Sequence, residues 1–238
     1  KFGGAHNVTA MVGTEYFGIK SFAMQVEGTT SPTDALPTVN ASTTFTPNTS
    51  TDPNNPNNNY SLTSQYRIIS TFGRLSYDYD QRYLFTAVFR NDGVSSLPTK
   101  NRFGFFPGMS AGWNVHRESF FQNGNISKII STLKPRISYG VNGNVSGLGR
   151  YDVQGVYGAQ GLYNNNGAFL FTTLTTPNLR WEKSKTTDIG ADIGILNDRI
   201  TFIFDYYNRK TSDLLTNLSL PSYTGFNTVK TNLGTLQN

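Results

Sequence analysis

Seven stretches of this chain alternate apolar and polar side chains at every second residue, and no apolar run approaches the roughly 18 to 20 residues that a membrane-crossing helix requires. A period of two places residues i and i+2 on one face of an extended ribbon, so each stretch reads as a strand with one apolar and one polar side. Near 6–17, Val8, Ala10, Val12, Thr14 and Tyr16 share a face against Thr9, Met11, Gly13 and Glu15. Over 66–79, Ile69, Thr71, Leu75, Tyr77 and Tyr79 oppose Ser70, Arg74, Ser76 and Asp78. After a tight turn at Asp80 and Gln81, Tyr83, Phe85, Ala87 and Phe89 align before Arg90.

The fourth stretch, 103–115, gathers Phe105, Met109, Ala111, Trp113 and Val115. The fifth sets Leu133, Ile137 and Tyr139 against Lys134, Arg136 and Ser138. In the sixth, Thr187, Ile189, Ala191, Ile193 and Ile195 oppose Asp188, Gly190, Asp192 and Gly194. Across the turn 196–199, Ile200, Phe202, Phe204 and Tyr206 oppose Thr201, Asp205 and Tyr207, and an eighth strand is expected from about Phe226 to the last residue. These lengths suit a tilted strand crossing a bilayer, for which about 9 to 11 residues suffice.

The connections alternate in length. Residues 23–65, 91–102, 141–178 and 208–225 are long and rich in Gly, Asn, Thr, Ser and Pro; 80–82 and 196–199 are tight; 116–131 is the longer exception, with a helical turn expected at 126–130. Membrane barrels have short periplasmic turns and long extracellular loops, so this asymmetry predicts which end is outside the cell. Aromatic residues gather near strand ends, and Tyr79, Tyr83, Phe103, Trp113, Trp181 and Tyr206 are candidates for an interfacial belt. A soluble β-sandwich also alternates, but it gives no reason for long loops at one end only or for a repeated apolar outward face.

Composition agrees with strands and turns: 13% aromatic, 15% charged and 23 glycines. The formal charge of +5 is spread without a basic cluster, which excludes a nucleic-acid footprint. With no cysteine, disulfide and thiolate metal chemistry are excluded. The two histidines, His6 and His116, fall in different segments, and no GxSxG, Walker or GxGxxG pattern occurs, so no catalytic, cofactor-binding or metal site is expected. Asp188 and Asp192 share a strand face and have two readings, an acid/base or cation pair, or solvated residues lining a watery interior; the second is the ordinary condition of such a face. Arg74, Asp78, Arg90, Arg136, Asp188, Asp192 and Asp205 are the candidate interior-facing polar residues.

Five phrases, in order, carry a resemblance: YRIISTFGRLSYDYDQRYLFTAVFRNDGVSS (66–96), NRFGFFPGMSAGWNVHRESFF (101–121), LKPRISYGVNGN, LRWEKSKTTDIGADIGILNDRITFIFDYYNRKTSDLL and TGFNTVKTNLGTLQN. Together they resemble the barrel region of the SusC/RagA group of TonB-dependent outer-membrane transporters of the Bacteroidetes; 23–62 matches only as a variable loop. The resemblance implies an all-β fold, an antiparallel transmembrane barrel segment of about eight strands from a larger, plugged, 22-stranded barrel. It also implies that residues 1–238 are part of a longer polypeptide, since plug, TonB box and closing C-terminal strands are not among them and eight strands cannot close without open edges in lipid.

The function so implied is import of a glycan or peptide through the bacterial outer membrane, without enzymatic activity or a cofactor. The implied partners are a SusD-like surface lipoprotein acting as a lid, TonB acting through the plug, and outer-membrane lipid. Residues 91–102 and 141–178 are candidates for lid or substrate contact, with Tyr151, Tyr157, Tyr163 and Phe169 able either to stack on sugar rings or only to pack the loops. Two rival readings are a surface barrel that scaffolds partners or serves secretion without importing, and a soluble carbohydrate-binding β-sandwich.

Overall fold

The computed structural model describes residues 4–26, 28–29, 44–45, 60–163 and 166–238, with backbone alone at 28–29, 44–45, 60–62, 158–163 and 166–170. Its strands are β1 (His6–Gln25), β2 (Gly28–Thr29), β3 (Thr44–Phe45), β4 (Tyr60–Tyr79), β5 (Tyr83–Val94), β6 (Phe103–Trp113), β7 (Ile130–Asn144), β8 (Val156–Tyr163), β9 (Asn166–Thr173), β10 (Glu182–Ile195), β11 (Ile200–Ser212), β12 (Leu215–Ser219), β13 (Thr228–Asn232) and β14 (Thr235–Gln237). One short helix, α1 (Ser119–Gln122), follows β6. Eight strands form one antiparallel sheet in the order β1-β4-β5-β6-β7-β10-β11-β14, and β2-β3, β8-β9 and β12-β13 are separate hairpins. Each neighbour in the large sheet is the next sheet strand along the chain, the meander of an up-and-down barrel wall.

Register turns the alternation of single strands into rows that run across the sheet. One row joins Val8, Tyr77, Phe85, Ala111, Ile137, Ile189 and Tyr206 through consecutive strand pairs. The adjacent row, on the opposite face, joins Thr9, Ser76, Thr86, Ser110, Ser138, Asp188 and Tyr207. Seven strands thus agree on which side is apolar, and among the described residues that side is bare: Val12 is 76% and Tyr206 72% exposed, and no second sheet of the described residues packs on either. A sandwich buries such a face between its two sheets, whereas this eight-stranded sheet presents it outward.

The small buried core lies elsewhere, at the end of the long connections. Val94, Leu97, Phe106, Val153, Leu179 and Trp181 form it, with Tyr66, Ile68, Val141, Val145, Leu148 and Leu215 against it. Tyr66, Ile68 and Phe106 share the parity of Arg74 and Arg90, so these loops fold over the polar face. Asn101 Nδ2 donates to the Leu179 carbonyl at 2.9 Å, and Ser95 N–H donates to the Arg67 carbonyl at 2.9 Å, which ties the β5–β6 loop to both neighbours.

Several boundaries differ from the sequence reading. The strands β1 and β4 are 20 residues each, about twice what a bilayer crossing needs, so their pairing continues beyond the span into the 23–65 connection. Similarly, β7 runs to Asn144, where it still pairs with Glu182, and β11 runs to Ser212. The eighth strand does not begin near Phe226. Residues 228–232 pair back on 215–219 instead, Gly234 reverses the chain at φ 91°, and only Thr235–Gln237 joins the sheet beside Lys210–Ser212.

Both tight connections are built on left-handed backbone. Asp80 and Gln81 have φ of 48° and 56°, and Arg82 N–H donates to the Tyr79 carbonyl at 2.8 Å, the geometry that matches the twist of a hairpin. Leu196, Asn197 and Asp198 are all left-handed, near 56° to 59°. The expected helical turn is present in another form, as α1 and a 3-10 turn at Asn125–Lys128.

Candidate functional site

The polar face carries its charges in two clusters, each assembled by register. Glu15, Ser70, Asp92 and Gly104 lie in one row across four strands, and Gly13, Phe72, Arg90 and Phe106 in the next. Arg90 therefore sits diagonally among oxygens: its Nε donates to Asp92 at 2.7 Å, and its Nη2 to Glu15 at 3.0 Å and to Ser70 Oγ at 2.9 Å. Its guanidinium also lies 5.6 Å from the centre of the Phe72 ring. Phe72 in turn rests over Gly13, where a Cβ would come within 2.6 Å of the ring.

The second cluster surrounds Arg136. Its Nη2 meets Asp205 at 2.6 Å, its Nε Asp192 at 3.2 Å and its Nη1 Asp188 at 3.4 Å, with Lys134 Nζ 3.9 Å from Asp192. Arg136 and Asp205 are on strands that are not neighbours; β10 runs between them, and its residue in that row is Gly190. A Cβ at Gly190 would stand 2.4 Å from the Asp205 carboxylate and 2.8 Å from Arg136 Cζ, so the ion pair crosses β10 only because that position has no side chain. Each exposed pair is worth about 0.2 to 1 kcal/mol, but one planar guanidinium shared by three carboxylates fixes all four side chains in place. In both clusters carboxylates outnumber cations, leaving an acidic surface.

Between the clusters and the loop core is a hollow of about 540 Å³ lined by Phe72, Arg74, Arg90, Asp92, Phe106 and Asn142 among others. It exists because β6 and β7 pair only over Gly108–Gly112 and Gly140–Arg136; beyond Gly108 they part, and Phe106 packs its ring against Gly143. Trp181 meets Phe106 edge-on at 5.1 Å. The hollow offers aromatic faces, guanidinium donors and a carboxylate side by side, the groups that bind hydroxyl-rich or peptide-like ligands.

The structure sorts the sequence candidates. It brings Arg136, Asp188, Asp192 and Asp205 together, and Asp188 and Asp192 bracket a guanidinium rather than each other. Arg74 stands apart with its Nε on Ser76 Oγ at 3.2 Å. Asp78 shares the face but serves the turn, accepting from Gln81 N–H at 2.6 Å. Tyr79, Tyr83 and Trp113 stack side by side at the short-turn end, with centroids 6.2 Å and 6.3 Å apart. Trp181 corrects the belt reading: at 7% exposed it is a member of the loop core, its Nε1 donating to the Arg102 carbonyl, because the apolar loop residues around it leave no path to the outer surface. Tyr206 lies on the apolar face but in mid-strand, because β11 continues six residues past it.

In the loops, Tyr151 is half-exposed and its hydroxyl accepts from Gln65 N–H at 2.9 Å, while Tyr157 is open to solvent and packs edge-on with Phe171 at 4.8 Å. Tyr163 and Phe169 lie on the β8–β9 hairpin, with side chains outside those described. His6 Nδ1 bonds the Tyr77 hydroxyl at 2.9 Å, and His116 Nδ1 accepts from Leu133 N–H at 3.3 Å, two structural roles far apart.

Sequence reasoning passed over three charged residues. Glu15 was on the named face, yet it faces Arg90 across 75 residues. Arg150 reaches from the loop to Ser21 Oγ at 3.2 Å and to Ser64 Oγ on the polar face. Glu118 is a buried latch at the short-turn end: Trp113 Nε1 donates to it at 3.0 Å and Arg82 lies 3.5 Å away. The Trp113 indole, then the Tyr83 hydroxyl, hold its carboxyl below the usual carboxylate range, against the opposing effect of burial.

Comparison with known proteins supplies the context. The family described as TonB dependent receptor-like, beta-barrel matches residues 3–238. TonB-dependent receptor P26 of Formosa agariphila is 32% identical over 244 aligned residues, covering 100% of this chain and 23% of the relative. TonB-dependent receptor SusC of Bacteroides thetaiotaomicron is 37% identical over 178 residues, 72% of this chain and 17% of SusC. Among solved structures, the RagAB peptide transporter superposes with a TM-score of 0.83 at 24% identity, over 99% of this chain and 25% of that one. The chain spans a quarter or less of the length of these relatives.

Proposed function

This chain belongs to the TonB dependent receptor-like β-barrel family of the bacterial outer membrane, and from that premise we propose that its eight strands form a section of the barrel wall of a nutrient importer. The observation that carries the reading is the pair of opposed rows, one apolar from Val8 to Tyr206 and one polar from Thr9 to Tyr207. The apolar row meets hydrocarbon; the polar row, the Arg90 and Arg136 clusters and the hollow face the interior, where a plug and a passing solute need charged and hydrogen-bonding neighbours.

The short turns stand in the periplasm and the loop core with the β8–β9 and β12–β13 hairpins outside the cell. There Tyr151 and Tyr157 belong to the surface that meets a solute or a SusD-like lipoprotein lid, and TonB acts through a plug. The cargo is a glycan or a peptide, the classes that the resemblance to the SusC/RagA group implies; the fold neighbour RagAB is a peptide transporter. Members of this family are transporters rather than enzymes, and among the described residues no cluster of three His, Cys, Asp or Glu is placed to hold a metal.

Uptake by cells carrying the full-length gene tests this directly. Glycan and peptide mixtures are offered to the parent, to a deletion strain and to a strain lacking TonB; loss of uptake of one class in both mutants supports import. Undiminished uptake of both classes in the deletion strain refutes it.

A further inference from the structure

The 115–129 connection is the exception among the short turns, and its side chains are distributed in an unusual way. Val115 and Phe121 are buried, whereas Phe120, Ile126 and Ile129 are 63%, 60% and 61% exposed. Three large apolar groups on a short segment of turns and helix are costly in water. Leu196, exposed in the neighbouring turn, joins them: its N–H donates to the Ile129 carbonyl at 2.9 Å, which fastens the two connections together.

This patch continues the apolar face of the sheet. The Phe120 ring lies 6.4 Å from that of Trp113, itself stacked on Tyr83 and then Tyr79, and the ladder ends on His6, 4.8 Å from Tyr79. Trp113 also lines an apolar hollow of about 540 Å³ on that face, with Tyr77, Phe85, Ile137 and Ile189. The exposed charges beside the patch are mostly basic: Arg117, Lys128 and Arg199. Of the acidic groups nearby, Glu118 is buried against Trp113 and Arg82, and Asp198, exposed and accepting from Ser131 Oγ, is one carboxylate against the three cations. Apolar side chains continuous with a hydrocarbon-facing surface, on segments whose exposed charges are mostly cations, are the makings of an interfacial membrane segment.

We propose that residues 117–129, with the 196–199 turn, lie in the headgroup layer of the inner leaflet, with Phe120, Ile126, Ile129 and Leu196 in the acyl boundary and Arg117, Lys128 and Arg199 on anionic phospholipid headgroups. The segment anchors the barrel's periplasmic rim at a fixed depth. This rests on the reading that the apolar face meets hydrocarbon, and the test separates the two.

Full-length protein carrying single nitroxide labels at Ile126→Cys, Ile129→Cys, Val12→Cys or Ile189→Cys is reconstituted in phosphatidylethanolamine with or without phosphatidylglycerol, and collision rates with oxygen and a water-soluble nickel chelate are measured. All four labels are expected to favour oxygen. Replacing Arg117, Lys128 and Arg199 with Gln is expected to reduce the preference of the 126 label for phosphatidylglycerol by about fivefold per cation at low salt. Nickel access at 126 and 129 with oxygen access at 12 and 189 overturns the proposal and leaves the patch to the periplasm or a protein partner. Nickel access at all four overturns the hydrocarbon reading itself, and an absence of phosphatidylglycerol preference in the unsubstituted protein overturns the headgroup assignment.

Discussion

Ile137 and Ser138 are consecutive residues of β7 on opposite faces, and Lys at each gives the sharpest contrast the register allows. Ile137 stands in the apolar row between Ala111 and Ile189, and Ser138 in the polar row between Ser110 and Asp188. Judged as a water-soluble surface, both positions tolerate Lys within about 0.5 kcal/mol. Judged as a barrel wall, Lys at 137 enters hydrocarbon near mid-depth, at a cost of about 2 to 4 kcal/mol, while Lys at 138 enters water beside the Asp188 carboxylate. The folding equilibrium of Ile137→Lys should fall by about 30-fold to 700-fold and that of Ser138→Lys should hardly move. Guanidinium unfolding of the full-length protein in lipid vesicles, followed by tryptophan emission, reads both. Equal effects, or a larger loss for Ser138→Lys, would refute the face assignment.

Further outcomes follow from the two clusters, the latch and the loop core. Gly190→Ala places a Cβ 2.4 Å from Asp205 and 2.9 Å from the Phe204 carbonyl, and should destabilise by about 1 to 3 kcal/mol in the same assay. Glu118 has a depressed pKa, so its contribution to stability is present above the ordinary carboxylate value and is lost as pH falls through the lower folded one. In a full-length variant that keeps Trp113 as its one tryptophan, its emission should therefore titrate at a pH below that of an unperturbed glutamate, and Glu118→Gln should abolish the transition. Phe106→Ala removes the ring that Trp181 and Gly143 pack on, and should speed proteolysis within 141–181 while leaving the sheet's circular dichroism unchanged.

What the sequence made legible was local. Alternation in 187–195 is strict, and the face read there agrees with the face in space; in 200–207 it is interrupted by Ile203 and Tyr207, which stand on the polar side opposite Asp192 and Asp188. The extensions of β7 and β11 were hidden because Gly140, Asn142, Gly143 and Asn144 carry loop chemistry, yet their strand pairing is supplied by β10. Thr228–Asn232 has strand character, but nothing local says whether its partner is the sheet or 215–219. The Arg136 cluster was legible as residues on one face. Its geometry was not, because it depends on Gly190, far along the chain, leaving open a crossing between Arg136 and Asp205, which lie on strands that are not neighbours. Trp181 was misread since burial in a loop core depends on Val94, Leu97 and Phe106, far away in sequence.

Nuclear Overhauser contacts between lipid acyl methylenes and side chains of the full-length protein in nanodiscs test the central claim most directly. Cross-peaks to Val8, Tyr77, Phe85, Ile137, Ile189 and Tyr206, and none to Thr9, Ser76, Thr86, Ser138 or Asp188, are predicted. Acyl contacts along the Thr9 to Asp188 row, or water contacts in their place along the Val8 to Tyr206 row, would contradict it.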